Sequence, residues 1–146
     1  MATILIVEDS QTERQVLRRM LEKGGHLVLT ANDGAEGVAI AKQNNPDLIL
    51  MDIVMPGQNG FQTTRQLSRD PQTQHIPIVM VTTKDQETDR VWAKRQGARE
   101  YLVKPVSQEK LLKSVESLLE VALVDQVVQI AGVVEEALEG RRVLSD

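Results

Sequence analysis

Six residues at four places in this chain carry side chains that can do chemistry together: the acids Glu8-Asp9 and Asp52, the hydroxyls Thr82-Thr83, and the ammonium of Lys104. Each place directly follows a short apolar run, at residues 3–7, 48–51, 78–81 and 101–103. Three carboxylates brought together repel one another, and a hard divalent cation such as Mg2+ or Mn2+ is the usual means of keeping them ionised and adjacent. A metal, a hydroxyl and an ammonium around one remaining carboxylate neutralise an incoming phosphoryl group. No His or Cys base stands at any of these positions. The constellation is therefore that of a phosphoryl acceptor rather than of a hydrolase.

Such residues meet only if the scaffold gathers the ends of the runs. Residues 48–51 are apolar without interruption, too short for a helix, and closed by Asp52 and then Pro56, Gly57 and Gly60, the pattern of a strand buried on both faces of a parallel sheet. Residues 3–7 read the same way. Ser10 then offers a cap to a helix carrying Val16, Leu17, Met20 and Leu21, stopped by Gly24 and Gly25. A β-rich run at 26–30 precedes the Asp33-Gly34 turn and a helix over 35–43. Beyond the central strand, Phe61, Thr64 and Leu67 mark a helix ending at Asp70-Pro71, and Asp85 is placed to cap another over 86–96 that Gly97 closes. After the last strand, at 101–103, Ser107 opens a helix with Leu111, Leu112, Val115, Leu118 and Leu119 on one face. Five strand-helix units imply a parallel sheet wrapped on both faces with right-handed crossovers, and such a sheet puts all of these groups on the carboxyl edge of its strands.

Taken singly, each group has a plain reading: a polar turn, a solvated strand end, capping hydroxyls, a loop lysine. Taken jointly, acid, acid, hydroxyl and lysine at four of five strand ends favour a built site. Trp92, Met20 and Tyr101 read as packing residues. His26 and His75 have no ligand spacing and read as structural.

Composition bounds the function classes. The 146 residues make about one domain. With no Cys, disulfides, thiolate metal sites and Cys nucleophiles are excluded. The start has no basic segment, Glu8 and Asp9 end the first apolar run too early for a signal peptide, and no stretch approaches the ~18 apolar residues of a membrane span. A cytoplasmic protein without membrane attachment is expected. Seventeen basic against 21 acidic residues, net charge −4, leave no basic block for a phosphate backbone, so no nucleic acid is expected as partner.

The set Glu8-Asp9, Asp52 with Met55-Pro56-Gly57 and Gly60, Thr82, Tyr101 and Lys104-Pro105, in this order on five strand-helix units, resembles the receiver domain of chemotaxis-type response regulators over about residues 2–120. The resemblance implies a flavodoxin-like doubly wound α/β sheet in strand order 2-1-3-4-5 and a two-component phosphorelay. It makes Asp52 the acceptor of a phosphoryl group from a histidine kinase. It implies Mg2+ held by Glu8, Asp9, Asp52 and the backbone carbonyl of Val54, phosphoryl oxygens bound by Thr82 and Lys104, and Thr82 and Tyr101 as the switch pair. Residues 60–67 and 81–89 are similar more narrowly to the PilH-like regulators of type IV pilus twitching motility, which implies a downstream target in the motility machinery. The first acid is Glu8 where the family often has Asp, a longer arm suited to a water-mediated metal contact.

Residues 121–146 lie beyond the 1–120 receiver. Leu123, Val127, Ile130, Val134 and Leu138 recur at helical steps and Gly140 reads as a stop, giving an extra amphipathic C-terminal helix. It either folds back on its own domain or serves dimerisation or docking. As to function, a stand-alone phosphorylated signalling module, acting as output regulator or phosphate sink, stands against a small Mg-dependent phosphohydrolase with an Asp nucleophile. The latter needs a nearby second acid and a cap, and residues 53–56, Ile-Val-Met-Pro, supply no acid.

Overall fold

The computed structural model describes residues 1–145. Strands β1 (Thr3–Val7), β2 (Leu27–Ala31), β3 (Leu48–Met51), β4 (Ile78–Thr82) and β5 (Glu100–Val103) alternate with helices α1 (Gln11–Lys23), α2 (Gly34–Asn44), α3 (Gly60–Arg69), α4 (Glu87–Gln96) and α5 (Gln108–Ser145). All strand pairs are parallel and the order is β2-β1-β3-β4-β5, the flavodoxin-like sheet expected from the resemblance. Every residue of β3 and β4 is buried, as continuous apolar strands covered on both faces must be. β2, at the sheet edge, leaves Leu27 exposed. The core runs from Leu5, Val7, Ile49 and Met51 on the sheet to Val38, Leu67 and Ala93 on the helices.

Local chemistry sets the helix starts that face the carboxyl edge. The Ser10 hydroxyl accepts the Glu13 N–H and the Asp33 carboxylate the Glu36 N–H. Asn59 and Gln62 exchange bonds in a capping box. At α4 the expected cap, Asp85, is displaced by one residue: Gln86 is the N-cap and its N–H is taken by Asp89 at 3.3 Å. A reciprocal partner three residues on is available to Gln86 and fixes the start there. Gly60 lets α3 begin hard against the end of β3; a Cβ there would lie 2.1 Å from the Asp52 carbonyl oxygen.

The chain divides into two compact units, Met1–Val115 and Glu116–Asp146. In the first, Leu111 and Val115 bury the start of α5. In the second, the expected C-terminal helix is the unbroken continuation of α5, which passes through Gly132 and Gly140. Gly140 is therefore no stop. A glycine costs a helix interior only about 1 kcal/mol, and here it neither adopts a positive φ nor is followed by proline. Leu123, Val127, Ile130, Val134 and Leu138 are all exposed. Asp146, the last residue of the 121–146 extension, lies outside the described residues. Contrary to the expectation that no stretch approaches a membrane span, the segment Gln108–Arg141 contains an exposed window long and apolar enough by length and composition. Isolated acids such as Glu120 and Asp125 break the consecutive run but not the average.

Candidate functional site

Parallel register brings the strand ends together. Val7 pairs with Met51, so Glu8 and Asp52 emerge side by side, and the Asp52 N–H donates to the Val7 carbonyl at 3.1 Å. Met51 pairs with Met80 and Thr82 with Val103, which sets Thr82 beyond β3 on one side and Lys104 beyond β5 on the other. The Lys104 N–H donates to the Thr82 carbonyl at 2.8 Å. Glu8, Asp52 and Thr82 are all buried, unusual for two acids unless they are paired or bound to a cation.

Lys104 supplies that charge. Its Nζ donates to Asp52 Oδ2 at 3.3 Å, to Glu13 Oε2 at 2.9 Å, and to Glu8 Oε1 in a short contact. Burial pushes the Glu8 carboxyl up to about 8, a rise the Lys104 bond opposes and the Asp52 charge assists. Burial works against the Lys104 ammonium too, but its bonds to Glu8 and Glu13 and the field of Asp52 outweigh it and take Lys104 up to about 12. The Lys104 hydrogen bond chiefly lowers Glu13. Lys104 therefore stays charged at neutral pH and holds the acids in place.

The remaining predicted residues divide. Asp52 Oδ1 accepts the N–H of Ile53 at 2.7 Å, leaving Oδ2 toward Lys104. Thr82 Oγ1 accepts the Lys84 N–H at 3.4 Å, and Thr83 is exposed. Tyr101 is buried, donates its hydroxyl to the Lys84 carbonyl at 2.8 Å and lies under the Arg90 guanidinium at 5.0 Å from the ring centre. Burial, with Asp89 nearby, pushes its phenol up to about 12. Val54 is 55% exposed. Asp9 is exposed; the carboxylates lying within 4.8 Å of one another are Glu8, Asp52 and Glu13. Trp92, read as a packing residue, is half-exposed on α4. His26 and His75 stay outside the site, bonded to the Ala2 N–H and to Asn45 Oδ1.

Glu13 was not among the residues singled out from the sequence. The signal is its position in the first turn of α1, whose start is held against the end of β1 by Arg14 Nη1 donating to the carbonyls of Glu8 and Asp9 at 2.9 and 3.0 Å.

Against known proteins, the response regulator receiver domain matches residues 4–116. The chain belongs to this receiver family. Over 119 residues the receiver is 63% identical to Protein PilH of Pseudomonas aeruginosa, covering 82% of this chain and 98% of that protein. It is 39% identical over 123 residues to the response regulator PleD of Caulobacter vibrioides, covering 84% of this chain and 27% of that one. Among solved structures, the chemotaxis protein CheY4 of Vibrio cholerae superposes with a TM-score of 0.76 at 36% identity, over 80% of this chain and 98% of that one. Receiver domains are phosphoacceptors rather than classical enzymes, partner with histidine kinases and downstream targets, and bind Mg2+ at an acidic pocket. This receiver's pocket fits such an ion. Its donors are hard carboxylate oxygens, and the ammonium drawn in among them shows that the cluster demands positive charge.

Proposed function

We propose that this protein is a stand-alone response regulator that takes a phosphoryl group from a histidine kinase onto Asp52. An Asp52 oxygen attacks phosphorus, the bond from phosphorus to the donor's imidazole nitrogen breaks, and an acyl phosphate forms while the imidazole leaves with the electron pair. Glu8, Asp9, Asp52 and the backbone carbonyl of Val54 hold Mg2+ or Mn2+, and Thr82 and Lys104 take the phosphoryl oxygens. The observation that carries this reading is Lys104 Nζ within 3.3 Å of a buried Asp52 carboxylate beside the Thr82 strand end. Thr82 and Tyr101 are the switch: bonding of the Thr82 hydroxyl to phosphate draws on the segment that holds Lys84, whose carbonyl now anchors the Tyr101 hydroxyl.

The 63% identity to PilH, over nearly all of that protein, supports a place in chemotaxis-like control of type IV pilus motility, in the cytoplasm, with a protein rather than nucleic acid as target. Residues 1–120 act as the receiver. For residues 121–146 the reading is self-association of the full chain. Leu123, Val127, Ile130 and Val134 recur at steps of four and three, the spacing of a coiled-coil seam. The exposed polar positions Asp125, Glu135, Glu136 and Glu139 are acidic, and no Lys or Arg falls between Lys113 and Arg141 to meet lipid headgroups. Sedimentation of the full chain with and without Val127→Asp tests this: loss of a multimer supports it, and a monomer in both contradicts it.

The test of the acceptor reading is incubation with acetyl phosphate and Mg2+ followed by intact mass. A single labile phosphate supports it. Continuous turnover of acetyl phosphate or other monoesters with no phosphorylated protein points to a phosphohydrolase.

A further inference from the structure

Lys104 has three N–H donors, and all three are committed: to Glu8, to Asp52 and to Glu13. A phosphoryl group on Asp52 can gain a bond from this ammonium only if one carboxylate gives one up. The partners are unequal. The side chains of Glu8 and Asp52 are 1% and 9% exposed, whereas that of Glu13 is 42% exposed, so Glu13 alone can exchange its bond for water at low cost. Glu13 also lines a cleft of about 400 Å3 along α1, with Leu17, Met20 and Pro105, which gives the side chain room to move.

A second observation shows that the contact is set by the fold and not by a helix cap. Ser10-Gln11-Thr12-Glu13 has the sequence of a capping box, in which the Glu13 carboxylate would return to the Ser10 N–H. Only half of the box forms. Ser10 Oγ accepts the Glu13 N–H at 3.3 Å, but the Ser10 N–H is taken by Glu8 Oε2 at 3.2 Å. Glu8 thus bridges the α1 start and Lys104, displacing the Glu13 carboxylate from its capping partner.

Taking Asp52 as acceptor and Lys104 as its phosphoryl partner, we propose that Glu13 is a positioning residue that holds Lys104 in the resting protein and must release it for phosphorylation. The holder tunes how readily the receiver charges. A contact with one half-exposed partner is worth a factor of roughly two to five.

The experiment compares wild type, Glu13→Gln, Glu13→Asp and, as a charge control, Glu116→Gln, an exposed position of α5. Phosphorylation by acetyl phosphate is followed by intact mass, Mg2+ affinity by calorimetry, and the Lys104 ammonium by its 1H–15N signal. Glu13→Gln is expected to phosphorylate about two- to fivefold faster, with Mg2+ affinity changed by less than that factor and the Lys104 ammonium signal shifted and exchanging faster with water. Glu13→Asp, too short to keep the contact, is expected to match it, and Glu116→Gln to match wild type. Unchanged rates and an unchanged ammonium signal overturn the proposal. So does a tenfold or greater loss of Mg2+ affinity in Glu13→Gln, which makes Glu13 a metal ligand instead, and so does wild-type behaviour in Glu13→Asp. If no protein gains phosphate, the acceptor reading fails, and the ammonium signal still decides whether Glu13 holds Lys104.

Discussion

Replacing Lys104 with Ala removes the one positive charge among Glu8, Glu13 and Asp52, so two opposite effects follow and both have a size. Breaking a buried ion network by deleting one partner costs about 3–5 kcal/mol. The lower end applies here, because Glu13 is half-exposed and relaxes into water. A loss of about 3 kcal/mol in a domain of this size lowers the melting temperature by roughly 10 °C. Divalent-cation binding moves the other way. Two unit charges about 4 Å apart near a protein surface interact by ~4 kcal/mol, and more for a dication, so removing the ammonium tightens Mg2+ binding by at least about tenfold after screening. At saturation this adds ~1.4 kcal/mol to the stabilisation by the ion. Thermal melts with and without Mg2+ therefore give a lower melting temperature for Lys104→Ala in chelator and a larger upward shift on adding the ion than in wild type. A smaller shift than wild type, or a weaker Mg2+ affinity, would refute the placement of Lys104 on the phosphoryl side of the site.

Asp52→Asn is expected to keep the fold and, by easing the repulsion that adds to the effect of burial on Glu8, to make the metal-free protein more stable in denaturant titration. Thr82→Ala removes the buried hydroxyl at the end of β4 and leaves only the exposed Thr83 beside it; phosphate uptake should continue while the phosphorylation-induced change in the Tyr101 ring signals falls, as read by NMR. Tyr101 is the one tyrosine, so its phenolate absorbance reports it directly, with a midpoint near 12. A folded pKa raised above the unfolded value of about 10 contributes stability that is present below pH 10 and lost as pH rises toward 12, by ~3 kcal/mol, and Tyr101→Phe should flatten that slope. Val54 and Lys84, both exposed next to the acceptor edge, offer no acceptor that orients a water in line with the phosphorus. Val54→Asn with Lys84→Glu should speed loss of the phosphoryl group severalfold, measured by phosphate release after donor removal.

Much of this fold could be read from residue patterns because parallel strands covered on both faces must be apolar along their length: β3 is wholly so, and β1 and β4 are but for Thr3 at the start of one and Thr82 at the end of the other. The placing of Glu8, Asp52, Thr82 and Lys104 at strand ends was legible for the same reason: a polar residue that closes such a run lies at the carboxyl edge, whereas Asp9, one residue further on, is exposed and outside the carboxylate cluster. Glu13 was not, because it sits in a helix, where an acid near the start is ordinarily a cap or dipole partner and only the competing Glu8 bond to Ser10 shows otherwise. The start of α4 was missed by one residue because Asp85 and Gln86 both offer caps and the choice rests on the reach of Asp89. The run of α5 through Gly140 was missed because glycine stops a helix by adopting the left-handed conformation, as Gly97 does at φ +116°, and nothing local to Gly140 requires that.

The site of phosphoryl attachment tests the account most directly. Borohydride reduces an acyl phosphate to an alcohol and so marks the acceptor aspartate as homoserine. Treatment with acetyl phosphate and Mg2+, then borohydride, then peptide mapping should place homoserine at residue 52 in wild type and nowhere in Asp52→Asn. Homoserine at another aspartate, or phosphate uptake by Asp52→Asn at the wild-type rate, would contradict the assignment of Asp52 as the acceptor.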